Sequence, residues 1–336
     1  MSASTEASAP TVQFVLLSLA LAGGLTYALL RLLIRFLKQK QWVVMDYHKK
    51  ERPMVPKPGG PAILAGFLVG EAALYFYFQA PGLLALMATT GIAGAIGLLD
   101  DLVTLGGIVK PASLILASLP ILLLGTYDFN LRFPFFGTVF LPIIYPLLIL
   151  IAIPVVSNTV NTIDVLNGVV SGFMVIASLP ILILLLLAGN TVMAAATGVF
   201  TVVAAAFYLV HRYPSKIFPG DSGSLSLGAA YGALVIIGRA EMMGVIALIP
   251  AILNSFFVIS SVKGLVEHRQ MKERPTSVSE DGYMSASRSP NAPVTLVRLI
   301  VASRPLNEQQ VAKAILKLAG FSATLAALTA LTMGGF

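Results

Sequence analysis

Apolar runs long enough to cross a bilayer recur along this chain from one end to the other. They cover roughly 11–37, 59–79, 82–99, 111–125, 141–156, 168–188, 190–210, 222–239, 242–262 and 310–334. A hydrocarbon core about 30 Å thick takes about 20 helical residues. Several of the runs are shorter, so thin or interrupted helices are expected. The chain is 57% hydrophobic and 11% charged, a balance that no soluble globular class shows. The expected fold is an all-α polytopic membrane protein of about ten transmembrane helices, with residues 1–336 forming one integral-membrane domain. The absence of cysteine excludes disulfides and thiolate metal sites. The first ten residues lack the basic stretch of a cleaved signal, so the first apolar run reads as a retained span.

Loop charges set the expected orientation. The long loops 38–58 and 263–309 carry most of the Lys and Arg, and the short loops on the same side add Lys110, Arg212 and Lys216. Only Arg132 and Arg239 fall on the other side. The positive-inside rule then puts both termini outside and the basic loops in the cytoplasm. A net charge of +7 suits anionic headgroups or an anionic substrate. No soluble basic domain is visible, which argues against a nucleic-acid partner.

Polar motifs gather on that same side. LLDDL holds Asp100 and Asp101, NTVNTIDVLNG holds Asn158, Asn161, Asp164 and Asn167, and FPGDSGSLSLG holds Asp221. Chance would scatter such residues over both faces, so one site is expected. Carboxylate and amide oxygens are hard ligands suited to Mg²⁺. The GDSGS stretch opens a helix, where free N–H groups can face a phosphate or take a cap. Nearby cations would neutralise a diphosphate. These features point to phosphoryl transfer, in which positioning and electrostatics carry most of the catalysis.

Each motif also has a plainer reading. The Asp pair can be a solvated helix end, Asp221 an N-cap, and the asparagines turn formers. Gly91, Gly94 and Gly97 read as a helix-packing stripe. Glu71 lies well inside the second run, nearly 20 Å from its cytoplasmic end at about 1.5 Å per residue. A structural partner for it inside the bundle is expected. His48, His211 and His268 are too far apart to form a local metal motif.

Together these stretches resemble the polyprenyl-phosphate N-acetylhexosamine-1-phosphate transferases, and the likeness covers nearly the whole chain. LLDDL looks like the family's Asp–Asp motif, with Lys110 at the spacing of the eukaryotic branch. NTVNTIDVLNG resembles the N-x-x-N motif and FPGDSGSLSLG the G-D-[ST] segment. MDYHKKERPMVPKPGG resembles the first cytoplasmic loop, with Asp46 and Lys49 as D-x-x-K. Bacterial branches carry a His cluster in the last cytoplasmic loop. Here that loop reads VEHRQMKERPTSV, with His268 followed by Arg269. That difference and Asn167 place the chain nearest the dolichyl-phosphate branch of archaea and eukaryotes. Three departures stand out. Asp164 follows the bacterial pattern, Val165 replaces the Gly that follows this Asp there, and Glu267 replaces a basic residue of the eukaryotic one.

The resemblance implies transfer of GlcNAc-1-phosphate from UDP-GlcNAc to a dolichyl or other polyprenyl phosphate, with release of UMP. This would be the first step of lipid-linked oligosaccharide synthesis for N-glycosylation. It implies Mg²⁺, with Mn²⁺ as a substitute, held by Asn161 and Asp221 with Asp164 as a further ligand. Asp100 and Asp101 would orient the acceptor phosphate and Lys110 would balance phosphate charge. Asp46, Lys49, Asn158, Asn167, His268 and Arg269 would bind substrate, Asn167 at the uracil and Arg269 at the sugar phosphate or N-acetyl group. The setting would be an archaeal cell membrane or a eukaryotic endoplasmic reticulum membrane, with the active site cytoplasmic and with room for a homodimer. Ten interrupted spans also suit a secondary transporter. An inactive lipid-binding scaffold and the same chemistry with another UDP-N-acetylhexosamine are further alternatives.

Overall fold

The computed structural model describes residues 9–134, 136–262, 264 and 273–332. Helix α1 (Ala9–Gln39) is followed by a short antiparallel pair, β1 (Val43–Met45) and β2 (Met54–Pro56). Helices α2 (Gly60–Phe78) and α3 (Pro81–Val103) come next. Each opens on a proline in its first turn, where the missing N–H costs no hydrogen bond. The run predicted at 111–125 is broken into α4 (Val109–Ser113), a 3₁₀ stretch (Leu114–Ser118) and α5 (Leu119–Leu123). Pro111 and Pro120 each remove a backbone donor there. A hairpin of β3 (Asn130–Phe133) and β4 (Gly137–Phe140) leads into α6 (Ile144–Thr162), α7 (Val169–Leu187), α8 (Thr191–His211) and α9 (Gly220–Ile237). Asn190 caps α8 by accepting from the Met193 N–H at 3.2 Å.

Helices α10 (Glu241–Ala247) and α11 (Ile249–Val262) meet at a 66° bend, with Pro250 in the first turn of α11. A small sheet of β5 (Thr276–Val278), β6 (Tyr283–Ala286) and β7 (Leu306–Asn307), with the short α12 (Leu296–Ile300), precedes α13 (Glu308–Thr332).

Among the described residues, seven helices are long and apolar enough to cross a membrane, or up to eight if the bent pair is one span. All ten predicted runs are helical. The α4–α5 segment is too short for that test, and α9, rich in Gly, Ser and Ala, also falls outside it. By length and composition the described residues therefore do not confirm the expected ten. The all-α expectation is also modified, since three small β elements lie between helices. Outward-facing Leu17, Phe76, Leu123, Ile151 and Phe321 are exposed, as lipid contact requires.

Helix α9 is buried almost along its whole length against α2, α3, α6 and α8. Its small residues make this possible. Gly97 on α3 lies so close that a Cβ there would come within 2.5 Å of the Asp221 carbonyl oxygen. The packing role expected of this glycine stripe is thus seen directly at Gly97.

Glu71 departs from expectation. Its side chain is wholly buried, and neither carboxylate oxygen has a hydrogen-bond partner among the described residues. The expected structural partner is not found among the described residues.

Candidate active site

The C-terminal end of α3, the N-terminal ends of α4 and α9, the C-terminal end of α6 and the loop after β2 converge at one end of the bundle. This brings Asp100, Asp101, Lys110, Asn161 and Asp221 together, with Asp164 beside them. Lys110 Nζ lies 2.5 Å from Asp100 Oδ2 and 2.7 Å from Asp221 Oδ1. The other Asp100 oxygen accepts the Leu105 N–H at 2.5 Å, which fixes the turn after α3.

Asp101 does something different. Its Oδ1 accepts the Asp221 N–H at 2.9 Å, and its Oδ2 accepts the Ser222 N–H at 2.9 Å and the Ser222 hydroxyl at 2.7 Å. It caps the N-terminus of α9 from a neighbouring helix, and its charge matches the positive end of that helix's dipole. Gly220 has φ +72°, and a Cβ there would meet Asp101 Oδ2 at 2.6 Å. The Gly of the G-D-S segment is thus required both by conformation and by the close approach of Asp101.

Asn161 donates from Nδ2 to Asp221 Oδ1 at 3.2 Å, and its Oδ1 accepts the Ser224 hydroxyl at 2.7 Å. Turning the amide half a turn would exchange these roles, since the Ser224 hydroxyl can donate or accept. Asn161 would then present an oxygen beside Asp221.

Asp164 lies in the turn after α6, with 18% of its side chain exposed and Oδ1 3.9 Å from His211 Nε2. Burial pushes its carboxyl up to about 7; Lys57 pulls it down and Asp221 and Asp101 push it further up. His211 is itself buried, and its Nδ1 pairs with the Ser171 hydroxyl at 2.9 Å. Four carboxylates thus face two ammonium groups, Lys110 and Lys57. A surplus of hard anionic oxygen is the donor set that suits a divalent cation such as Mg²⁺.

A second cluster is built around Asn167. Its Oδ1 accepts from Lys49 Nζ at 2.9 Å and from the Ser215 N–H at 2.6 Å. Its Nδ2 donates to Asp46 at 3.1 Å and also to Glu308 Oε1, which in addition accepts the Asn167 N–H at 2.9 Å. Lys49 also pairs with Asp46 and lies 4.8 Å from the centre of the Tyr213 ring. Burial works to raise the Asp46 carboxyl, but its hydrogen bonds from Lys49 and Asn167 outweigh this and leave it lowered. Beside the cluster lies a polar cavity of about 410 Å³, lined by His48, Lys49, Tyr213, Asp281, Asn307 and Glu308 among others. Asp46, His48 and Glu308 could offer metal ligands within 4.8 Å of one another, but the Lys49 ammonium already stands beside Asp46 and 3.9 Å from Glu308 Oε2.

The structure therefore joins Asp46, Lys49 and Asn167 in one cluster and Asp100, Asp101, Lys110, Asn161, Asp164 and Asp221 in another. Asn158 joins neither, and its Nδ2 donates back to the Pro154 carbonyl at 2.8 Å. His268 and Arg269 lie outside the described residues. Sequence reasoning missed Lys57, Ser222, Ser224, Ser215, Tyr213 and Glu308. Two signals were available: Lys57 directly precedes the Pro-Gly-Gly that opens α2, and Glu308 is the acid that opens the last apolar helix.

Residues 83–239, which hold Asp100, Asp101, Lys110, Asn161, Asp164 and Asp221, match the family model described as glycosyl transferase family 4. A Methanocaldococcus jannaschii protein provisionally named a glycosyltransferase is 28% identical over 78% of this chain and 79% of its own length. A Saccharolobus solfataricus protein is 29% identical over 71% of this chain and 76% of its own length. Its provisional name is UDP-N-acetylglucosamine–dolichyl-phosphate N-acetylglucosaminephosphotransferase. A Bacillus subtilis protein is 26% identical over 69% of this chain and 64% of its own length. It is provisionally named an undecaprenyl-phosphate N-acetylglucosaminyl 1-phosphate transferase. Residues 83–239 thus match glycosyl transferase family 4, and the resemblance read from the motifs is borne out.

Proposed function

We propose that this protein transfers GlcNAc-1-phosphate from UDP-GlcNAc to a dolichyl or other polyprenyl phosphate and releases UMP. On this reading it catalyses the first step of lipid-linked oligosaccharide synthesis, on the cytoplasmic face of its membrane. The observation that carries the reading is the convergence of Asp100, Lys110, Asn161 and Asp221, with Asp164 beside them, at one end of an apolar bundle. A lipid-linked acceptor can reach such a site sideways from the bilayer while a soluble nucleotide enters from water.

Asp221, Asn161 and Asp164 would hold Mg²⁺, which when bound neutralises diphosphate charge and polarises the bond to be broken. The chain's own groups do the placing. A phosphate monoester has a second pKa near 6, so the acceptor is largely ionised at neutral pH and hardly needs a base. Asp100 holds Lys110, whose ammonium balances phosphate charge. Asp101 fixes the start of α9 and, through it, the position of Asp221. Asn167 spends its amide on protein partners, so it locks Lys49 and Asp46 in place beside the polar cavity. That cavity falls in the size range of small-molecule sites, and the uridine would lie there. His268 and Arg269 are assigned to the sugar phosphate by resemblance.

A transporter would place its polar groups near the middle of the bundle. Here the two clusters sit at helix ends, which favours the transferase. The test is UMP release from protein, lipid phosphate and Mg²⁺ with UDP-GlcNAc, UDP-GalNAc or UDP-MurNAc-pentapeptide in parallel. UMP from UDP-GlcNAc well above the other two is expected. Equal or greater release from another donor would reassign the substrate, and none from any would remove the reading.

A further inference from the structure

Among the described residues, three lysines form ion pairs with the carboxylates of the two clusters, and they differ in commitment. Lys110 is 7% exposed and held between two carboxylates at 2.5 and 2.7 Å. Lys49 is 12% exposed, bonded to Asp46 and Asn167. Lys57 is 25% exposed, and its ammonium makes only longer ion pairs, 3.3 Å to Asp101 Oδ1 and 3.7 Å to Asp221 Oδ2.

We infer that Lys57 is a phosphate-binding side chain of the site, its ammonium leaving the Asp101–Asp221 pair to meet a phosphate group of the donor or of the acceptor lipid. The inference rests on the transfer reading for the identity of those ligands. Four observations carry it. First, two of the opening N–H groups of α9, those of Asp221 and Ser222, are taken by Asp101, which shifts the burden of meeting an arriving phosphate toward side-chain cations. Second, Lys110 cannot leave cheaply, because it is held at once by Asp100 Oδ2 at 2.5 Å and Asp221 Oδ1 at 2.7 Å. Third, Lys57 can leave, because Asp101 keeps three donors from Asp221 and Ser222 when it goes.

Fourth, the base of the side chain is anchored while its tip is not. The Lys57 N–H donates to the Trp42 carbonyl at 3.2 Å, and the Phe218 N–H donates to the Pro56 carbonyl at 2.9 Å. The Gly59 N–H donates to the Phe218 carbonyl at 2.8 Å and the Gly60 N–H to the Pro219 carbonyl at 2.8 Å. The segment carrying Lys57 is thus stitched to the strand of chain that leads into Asp221. A lysine on a fixed base with a flexible four-carbon stem suits a mobile point charge that follows a phosphate.

The test uses the full chain in phosphatidylcholine nanodiscs, with binding read by calorimetry in the presence of Mg²⁺. The probes are uridine, UDP and farnesyl phosphate. Lys57→Met should weaken UDP, farnesyl phosphate or both by at least tenfold and leave uridine unchanged. Which probe suffers tells whether Lys57 meets the donor or the acceptor phosphate. Lys57→Arg should stay within about threefold of wild type, because the charge is kept. Uridine binding reports that the Met variant is folded. If that variant loses uridine too, the steepness with which salt weakens UDP and farnesyl phosphate binding to Lys57→Gln replaces it, and a steepness equal to wild type for both overturns the inference. Wild-type affinity of Lys57→Met for both phosphate probes also overturns it. UDP binding by wild type that depends on Lys57, with no UMP released from UDP-GlcNAc and a polyprenyl phosphate, would remove the transfer reading and leave the phosphate site standing. No binding of either phosphate probe by wild type would remove both.

Discussion

Replacing Asp101 with alanine should act on the protein's stability as well as on its chemistry. The side chain is 2% exposed and gives α9 three hydrogen bonds, from the Asp221 and Ser222 N–H groups and from the Ser222 hydroxyl. Alanine leaves two helix-opening N–H groups with no acceptor at a buried end. Loss of an N-cap alone costs about 1 kcal/mol, and each buried donor left unsatisfied costs about 1–3 kcal/mol. These terms overlap, so about 3 kcal/mol is expected for Asp101→Ala. Asp101→Asn keeps an acceptor but loses the charge that faces the helix dipole, and about half that loss is expected. Denaturant titration of the protein in mixed micelles measures both. Hydrogen exchange at residues 221–224 locates the damage, and protection there should fall more than in α7 or α8. If Asp101→Ala unfolds at the wild-type midpoint and keeps wild-type protection in α9, the cap contributes nothing. A loss of activity would then mean that Asp101 acts on the substrate directly.

Four further outcomes follow from the same contacts. Asp221→Asn should abolish UMP release at any Mg²⁺ concentration and Asp164→Asn should be milder; the reverse ranking in a metal titration would make Asp164 the principal ligand. Lys110→Met leaves Asp100 without its cation and Asp221 with only its longer pair to Lys57, and breaking such a buried pair costs about 3–5 kcal/mol; Mg²⁺ should recover part of the lost melting temperature, and an unchanged melting temperature without metal would contradict the pairing. Asp164 is raised from 3.8 to about 7 by burial, so between those values the native state holds a proton that the unfolded chain has lost, and stability falls as pH rises through that window; Asp164→Asn should flatten this slope in denaturant titrations from about pH 4 to 7. Ser277 is exposed on β5, so Ser277→Cys should react only with reagents that reach the cytoplasmic face, and labelling from outside intact cells would invert the proposed orientation.

The apolar runs made the helices legible, because a span declares itself by length and hydropathy. The prolines at 111 and 120 explain why one run broke, and they were visible in advance. Motif order also foretold that Asp100, Lys110, Asn161 and Asp221 would meet, since all fall at the same end of alternating helices. What could not be read is how each carboxylate is used. Asp100 and Asp101 are neighbours in LLDDL, yet a helix turns adjacent side chains about 100° apart. One therefore faces Lys110 and the other faces the start of α9, a partner 120 residues away. The cluster around Asn167 is likewise joined by contacts to Glu308 and Ser215 that no local pattern encodes. The β elements escaped because strands of two to four residues carry no measurable alternation.

The central claim concerns which bond of the donor is broken. Incubation with UDP-GlcNAc carrying ³²P in its β-phosphate, a polyprenyl phosphate and Mg²⁺ separates the outcomes. Transfer of a sugar phosphate carries the label into the organic-solvent extract as a lipid diphosphate and leaves unlabelled UMP in the water. That result, in equal amounts of lipid product and UMP, is the one expected here. Label retained in water as UDP would mean transfer of the sugar alone, and intact UDP-GlcNAc after prolonged incubation would mean no transfer; either contradicts the proposed function.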